Sequence, residues 1–209
     1  MQQSIKVFGD KVIAMLNQLI ARDGFVTLAV SGGKSPVPLF EYLSHNDKVV
    51  WDKVNITLLD ERVTNNQQDR NDTLVRQHLL QNHAKLATFV PLYDESKTVT
   101  ENINSLNSSA LYPKIAILGM GLDGHTASIF PCCPEFEDLL QTDARFAIAS
   151  PTTAPYKRIT CTLPAILAIE NLFLFAQDKP KQDLLKQITQ QTAVKYPIVE
   201  LIKHKEVLQ

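Results

Sequence analysis

Ile115-Ala116-Ile117-Leu118 is an uninterrupted apolar run. It stops at a loop that carries three glycines, a carboxylate and an imidazole: Gly119, Gly121, Asp123, Gly124 and His125. A short apolar run bounded by turn residues reads as a strand buried on both faces, the kind found in parallel sheets. The theme repeats. Phe25 to Val30 ends in Ser31-Gly32-Gly33-Lys34-Ser35, and Val54 to Leu59 ends in Asp60-Glu61-Arg62. Between these runs lie segments with apolar positions at helical spacing, at 10–22, from Pro36 through Leu43, and from Asn71 to Leu79. Ser35 reads as an N-cap, with Pro36 at the first helical position. Further strands are expected at 88–90, 145–149, 158–162 and 171–176, and further helices at 164–170 and 181–191. The last dozen residues show no clear period. Strands alternating with helices build βαβ units. The pattern therefore predicts an α/β fold with a mostly parallel, Rossmann-like sheet and helices on both faces.

A chain of 209 residues, 44% hydrophobic, can bury one good core, so a single domain over 1–209 is expected. The net charge of −1 gives no overall field to recruit nucleic acid or an anionic membrane. An anionic ligand would need a local basic cluster. The three cysteines are odd in number and two are adjacent, which argues against a disulfide framework and for a reducing compartment. Cys132 and Cys133 read as loop thiols, since no second Cys/His pair at metal-ligand spacing accompanies them. Met1 to Lys6 lacks the apolar core of a signal peptide, and no apolar run approaches the ~20 residues that span a bilayer. A cytoplasmic protein is expected, as a monomer or small homo-oligomer.

Ligands of open α/β sheets bind beyond the carboxyl ends of the strands. The turns at 31–35, 60–62 and 119–125 all follow strands and should converge on one edge. His125 then stands where substrates go, with the side chain best suited to proton transfer near neutral pH, and Asp123 stands beside it. Ser31-Gly32-Gly33 offers free backbone N–H groups at a helix start, an anion site. Neither a Walker A pattern nor a G-x-G-x-x-G fingerprint is present, so a small phosphorylated metabolite fits better than a nucleotide. Arg62 has the geometry to clamp a phosphate, and Asp60 to orient His125 or an arginine; a solvated surface turn is the alternative for this triplet. Arg158 and Lys181, each taken alone, read as surface charges. No G-x-S-x-G elbow marks a serine hydrolase.

Taken together, Ser31 to Pro36, Asp60 to Arg62, the block Gly119 to Pro131, Arg158-Ile159-Thr160 and Lys181 resemble the 6-phosphogluconolactonase family, in order and spacing, from about residue 8 to 202. Amino-sugar-phosphate deaminases share the fold, but their Asp-Gly-His continues into Ala-Phe-Asn-Glu-Pro. This chain reads Thr126-Ala127-Ser128-Ile129-Phe130-Pro131, without that Glu. The resemblance implies hydrolysis of 6-phospho-D-glucono-1,5-lactone to 6-phosphogluconate, with no metal or redox cofactor. It implies His125 as general base, with Asp60 or Asp123 holding the imidazole. It assigns the backbone N–H groups of the Gly119, Gly121 and Gly124 loop to the oxyanion. The phosphate falls to Ser31, Gly32, Gly33, Ser35, Arg62 and Lys181, with Arg158 nearby. Lys34 departs from the family's usual small hydroxyl residue. Asp178 stands where Gly is usual before the late lysine, which leaves Lys179 as an alternative to Lys181. The rivals are a deaminase on the same scaffold and a sugar-phosphate sensor. The sensor is disfavoured because no helix-turn-helix segment precedes residue 25 and the chain is not basic.

Overall fold

The computed structural model describes residues 2–190, 196–204 and 207–208. Helix α1 (Gln2–Asp23) begins well before the expected residue 10. The reason is that Ile5 and Phe8 extend the buried stripe of Val12, Leu16 and Leu19 by two more turns. Phe8 meets Phe173 and Phe175 edge to face, with centroids 5.7 and 5.1 Å apart, which fixes α1 against the sheet.

Six strands form a wholly parallel sheet in the order β4-β2-β1-β5-β8-β9: β1 (Val26–Val30), β2 (Val54–Leu58), β4 (Thr88–Phe89), β5 (Ile115–Leu118), β8 (Asn171–Leu174) and β9 (Val207–Leu208). Helices flank it. All residues of β1 and β5 are buried, as continuous apolar runs require. From β1 the chain moves outward to β2 and β4, then returns to lay β5 on the other side of β1. The strand order therefore reverses between β1 and β5, and a crevice opens there beyond their carboxyl ends. Across it the Gly119 N–H donates to Ser31 Oγ at 3.0 Å, joining the two loops. The residues at 197–208, which show no period in sequence, form α8 (Pro197–His204) and β9. The expected helix at 181–191 is α7 (Lys179–Ile188), with residue 191 outside the described residues.

Three expectations need correction. The strands at 145–149 and 158–162 exist as β6 (Phe146–Ala149) and β7 (Arg158–Cys161), but outside the parallel sheet. With β3 (Asp60–Arg62) they form an antiparallel sheet, ordered β3-β7-β6. Asp60-Glu61-Arg62 is thus a strand and not a turn. The chain bends at Leu59, whose N–H still donates to Val30 O (3.0 Å) while its C=O already accepts from Cys161 N–H (2.7 Å). Ser35 is also not the helix cap. Helix α2 (Val37–Ser44) starts later, with Pro36 in the cap position, and the Ser35 hydroxyl serves Lys181 instead.

Strand β3 is tied to α3 (Asn71–His78) by one carboxylate. Arg70, at the α3 cap position, makes no side-chain capping bond. Buried Glu61 takes that place: it accepts from the N–H groups of Asn71 and Asp72, both at 2.8 Å, and from Arg62 N–H at 2.6 Å. Burial pushes the Glu61 carboxyl up to about 7, against the pull of those three donors. Its pKa lies above the ordinary value in the folded state, so its titration favours folding below that ordinary value. That contribution is lost as pH rises through about 7. Glu61→Ala leaves three buried donors without an acceptor, and each such loss costs about 1–3 kcal/mol. Urea unfolding is expected to show a loss of about 3 kcal/mol or more, and the variant should lack the decline in stability through neutral pH.

Candidate active site

A cleft of about 200 Å³ lies between the carboxyl edge of the parallel sheet and the antiparallel sheet. Its wall includes Ser31, Gly32, Gly33 and Ser35 from the loop after β1, and Gly119, Gly121 and His125 from the loop after β5. Asp60 and Arg62 come from β3, Arg158 from β7 and Lys181 from α7. The structure brings these sequence-selected residues to one place; Asp123 and Gly124 stand behind the wall, in the loop that carries His125. Lys179 instead pairs with Asp183 at 2.6 Å, well exposed, so Lys181 is the lysine at the cleft. Its ammonium reaches Ser35 Oγ at 2.6 Å and Asp178 Oδ2 at 3.1 Å. Asp178 also caps α7 by accepting from Lys181 N–H, so the residue that departs from the family's glycine holds this lysine in place.

The His125 ring meets Asp123 Oδ1 through Nδ1 at 2.5 Å. Burial works to raise the Asp123 carboxyl, yet the imidazole beside it holds it below the usual carboxylate value. An ionised carboxylate only accepts, so Nδ1 carries a proton, and in the neutral ring Nε2 is the nitrogen that carries the lone pair. Phe130 stacks on the ring, with centroids 3.9 Å apart. Gly121 makes room for it, because a Cβ there would lie 2.2 Å from His125 Cε1. Asp60 does not touch His125. Its carboxylate accepts from Ser128 Oγ at 2.5 Å, while Thr160 Oγ1 accepts from Ser128 N–H at 3.0 Å. Thr126 Oγ1 donates to Gly119 O at 2.8 Å. The histidine loop is thus closed on its own first residue and pinned to the antiparallel sheet.

The glycine N–H groups expected to face an oxyanion are already engaged. Gly119 donates to Ser31 Oγ, Gly121 to His125 O at 2.9 Å, and Gly124 to Gly121 O at 3.1 Å. These bonds occupy all three N–H groups, so none of them is free to face an oxyanion in this arrangement. By contrast, the N–H groups of Gly32 and Gly33 donate to no group among the described residues.

The electrostatics of the cleft centre on β3 and β7. Antiparallel register places Arg62 directly opposite Arg158. Like charges across a strand pair repel. Among the described residues neither guanidinium pairs with a carboxylate, and that of Arg158, a residue only 5% exposed, makes no hydrogen bond, with its Nε buried and unpartnered. Burial pulls Arg158 below its ordinary pKa; Asp60 opposes this and Arg62 adds to it. A buried, unpaired guanidinium facing a second one is an arrangement that an anion would relieve.

Several cleft residues escaped the sequence reading. Asn71 has no signal beyond opening a helix. Its amide donates to Asp60 O at 3.0 Å and fills the space a Cβ on Gly32 would need. Ser128 and Phe130 lie inside the quoted block, but nothing in their spacing gives their partners.

A family model described as glucosamine-6-phosphate isomerases/6-phosphogluconolactonase matches residues 1–208. The chain belongs to this family. A 6-phosphogluconolactonase of Neisseria meningitidis serogroup A is 37% identical over 213 aligned positions, which cover 98% of this chain and 92% of that protein. One from Helicobacter pylori J99 is 35% identical, covering 91% and 85%. The crystal structure of a 6-phosphogluconolactonase from Shewanella baltica OS155 superposes with a TM-score of 0.89 at 32% identity, covering 100% of this chain and 93% of that one. The cleft of this family member has the polarity of an anion site, and inorganic phosphate tests it. Phosphate at about 100 times its dissociation constant should stabilise the wild type by about 2.7 kcal/mol. Arg158→Met should match or exceed the ligand-free wild type in thermal unfolding and lose most of the phosphate response.

Proposed function

We propose that this chain hydrolyses 6-phospho-D-glucono-1,5-lactone to 6-phosphogluconate, in the oxidative pentose phosphate pathway. One observation carries the mechanism: a carboxylate-oriented imidazole opens onto the same cleft as two unpaired guanidiniums. The family relationship supports the substrate class, and the named relatives are lactonases over nearly their whole length.

The phosphate is held by the free N–H groups of Gly32 and Gly33, the hydroxyls of Ser31 and Ser35, Lys181, and the Arg62 and Arg158 guanidiniums. Holding it fixes the lactone carbonyl relative to His125. Water oxygen bonds to the carbonyl carbon as Nε2 takes one of its protons. The tetrahedral intermediate then expels the ring oxygen, which receives that proton from the imidazolium. Asp123 stabilises the cation formed on His125 and keeps its tautomer. Asp60 acts differently: through Ser128 it positions the loop that carries the imidazole. We place the chain in the cytoplasm, as a monomer or small homo-oligomer in one domain, with no nucleic-acid partner. Among the described residues no helix is long and apolar enough to cross a membrane.

The test is hydrolysis of freshly generated lactone with the spontaneous rate subtracted. His125→Ala should lose ~10²–10⁴-fold in kcat while retaining product binding. Arg62→Ala should act mainly on KM, by about tenfold or more. No acceleration by the wild type, or ammonia release from glucosamine 6-phosphate, overturns the reading.

A further inference from the structure

Two facing guanidiniums push each other apart, so something must hold Arg62 beside Arg158 when no anion is bound. The Arg62 backbone is fixed by Glu61, which accepts its N–H. Its guanidinium has one hold among the described residues: Nη1 donates to the Asp69 carbonyl at 2.6 Å. Asp69 ends a single 3-10 turn, Gln67–Asp69, in the loop between β3 and α3. A turn of three residues with no buried side chain is held weakly by packing.

The side chain of Asp69 supplies what packing does not. Its Oδ2 accepts from Asn66 Nδ2 at 2.7 Å within the loop, and from the Tyr156 hydroxyl at 2.8 Å across to the loop between β6 and β7. Tyr156 is 39% exposed and sits at φ +69°, a left-handed conformation that a bulky side chain adopts at a cost. From that conformation its hydroxyl reaches Asp69. Next to it, Val63 N–H donates to Lys157 O at 2.9 Å, so the two loops are stitched together on either side of Arg62.

We infer that Tyr156 is a positioning residue for the anion site, acting through Asp69 to hold the Arg62 guanidinium in the cleft against the repulsion of Arg158. This rests on the reading of Arg62 as a phosphate-binding group. Tyr156 is not among the residues that line the cleft; its hydroxyl fixes Asp69, and the Asp69 carbonyl fixes Nη1. Removing the hydroxyl frees the turn, and Arg62 swings outward until a ligand draws it back, so affinity falls while the His125 chemistry is untouched.

The experiment is a double-mutant cycle on inorganic phosphate affinity with Tyr156→Phe, Arg62→Met and the double variant, each read by thermal-shift titration. Tyr156→Phe is expected to weaken phosphate about three- to tenfold, the worth of one hydrogen bond. In the Arg62→Met background the same change should do nothing, because its route runs through Arg62. Unchanged affinity in Tyr156→Phe, or an equal loss in both backgrounds, overturns the inference. Lactone turnover reports separately: the wild type must accelerate hydrolysis for the proposed function to stand, and Tyr156→Phe should then raise KM by the same factor with kcat within about twofold. A fall in kcat at constant KM also overturns it.

Discussion

Side chains alternate along an extended strand, so the three residues after the bend at Leu59 must face two ways. Asp60 and Arg62 face the cleft, and Glu61 faces the start of α3. That alternation decides most of the site. The inward pair brings a carboxylate to Ser128 and a guanidinium to Arg158; the outward carboxylate fixes the helix that presents Asn71. If β2 ran on without the bend, the triplet would stay in the parallel sheet and could not pair with β7. Arg62 would then have no place opposite Arg158.

The same register sets two positive charges side by side at the cleft. Burial already disfavours the charged form of Arg158, and Arg62 adds repulsion. The surroundings absorb this in named bonds: Asp69 holds Arg62, and Ser35 and Asp178 hold Lys181. Binding sites of this kind trade stability for function. The two guanidiniums make no ion pair with a carboxylate among the described residues, so their field stays directed at the ligand. On the other side of the cleft the balance is reversed, because His125 has a carboxylate partner and an aromatic cover and needs no ligand to hold its tautomer.

Much of this was legible in the sequence because it depends on near neighbours. The apolar runs of β1 and β5, the glycine loops that follow them and the Asp123–His125 pair all lie within a few residues of their determinants. What was missed depends on partners far along the chain. The antiparallel sheet joins residues 60–62 to 158–160, and no periodicity within either run tells one sheet from the other. Asp60 reads as a partner for His125 until the fold brings Ser128 to it. The glycines read as oxyanion donors because glycine-rich loops expose N–H groups. Whether those groups stay free depends on where the carbonyls of Gly121 and His125 fall, and here they fall on the donors. Ser35 reads as a helix cap on local grounds, and a lysine from α7, about 146 positions away, claims it instead.

The histidine loop leaves the parallel sheet at Leu118, is closed on its own first residue by Thr126, and is tied to the antiparallel sheet by Ser128. The seam between the sheets therefore works as a ruler. Any tilt of one sheet against the other changes the distance between the imidazole and the anion-binding guanidiniums, and these bonds resist that tilt. Catalytic geometry in this chain is thereby a property of how two sheets meet, and substitutions along that seam, remote from the imidazole itself, would be felt at it as errors of length.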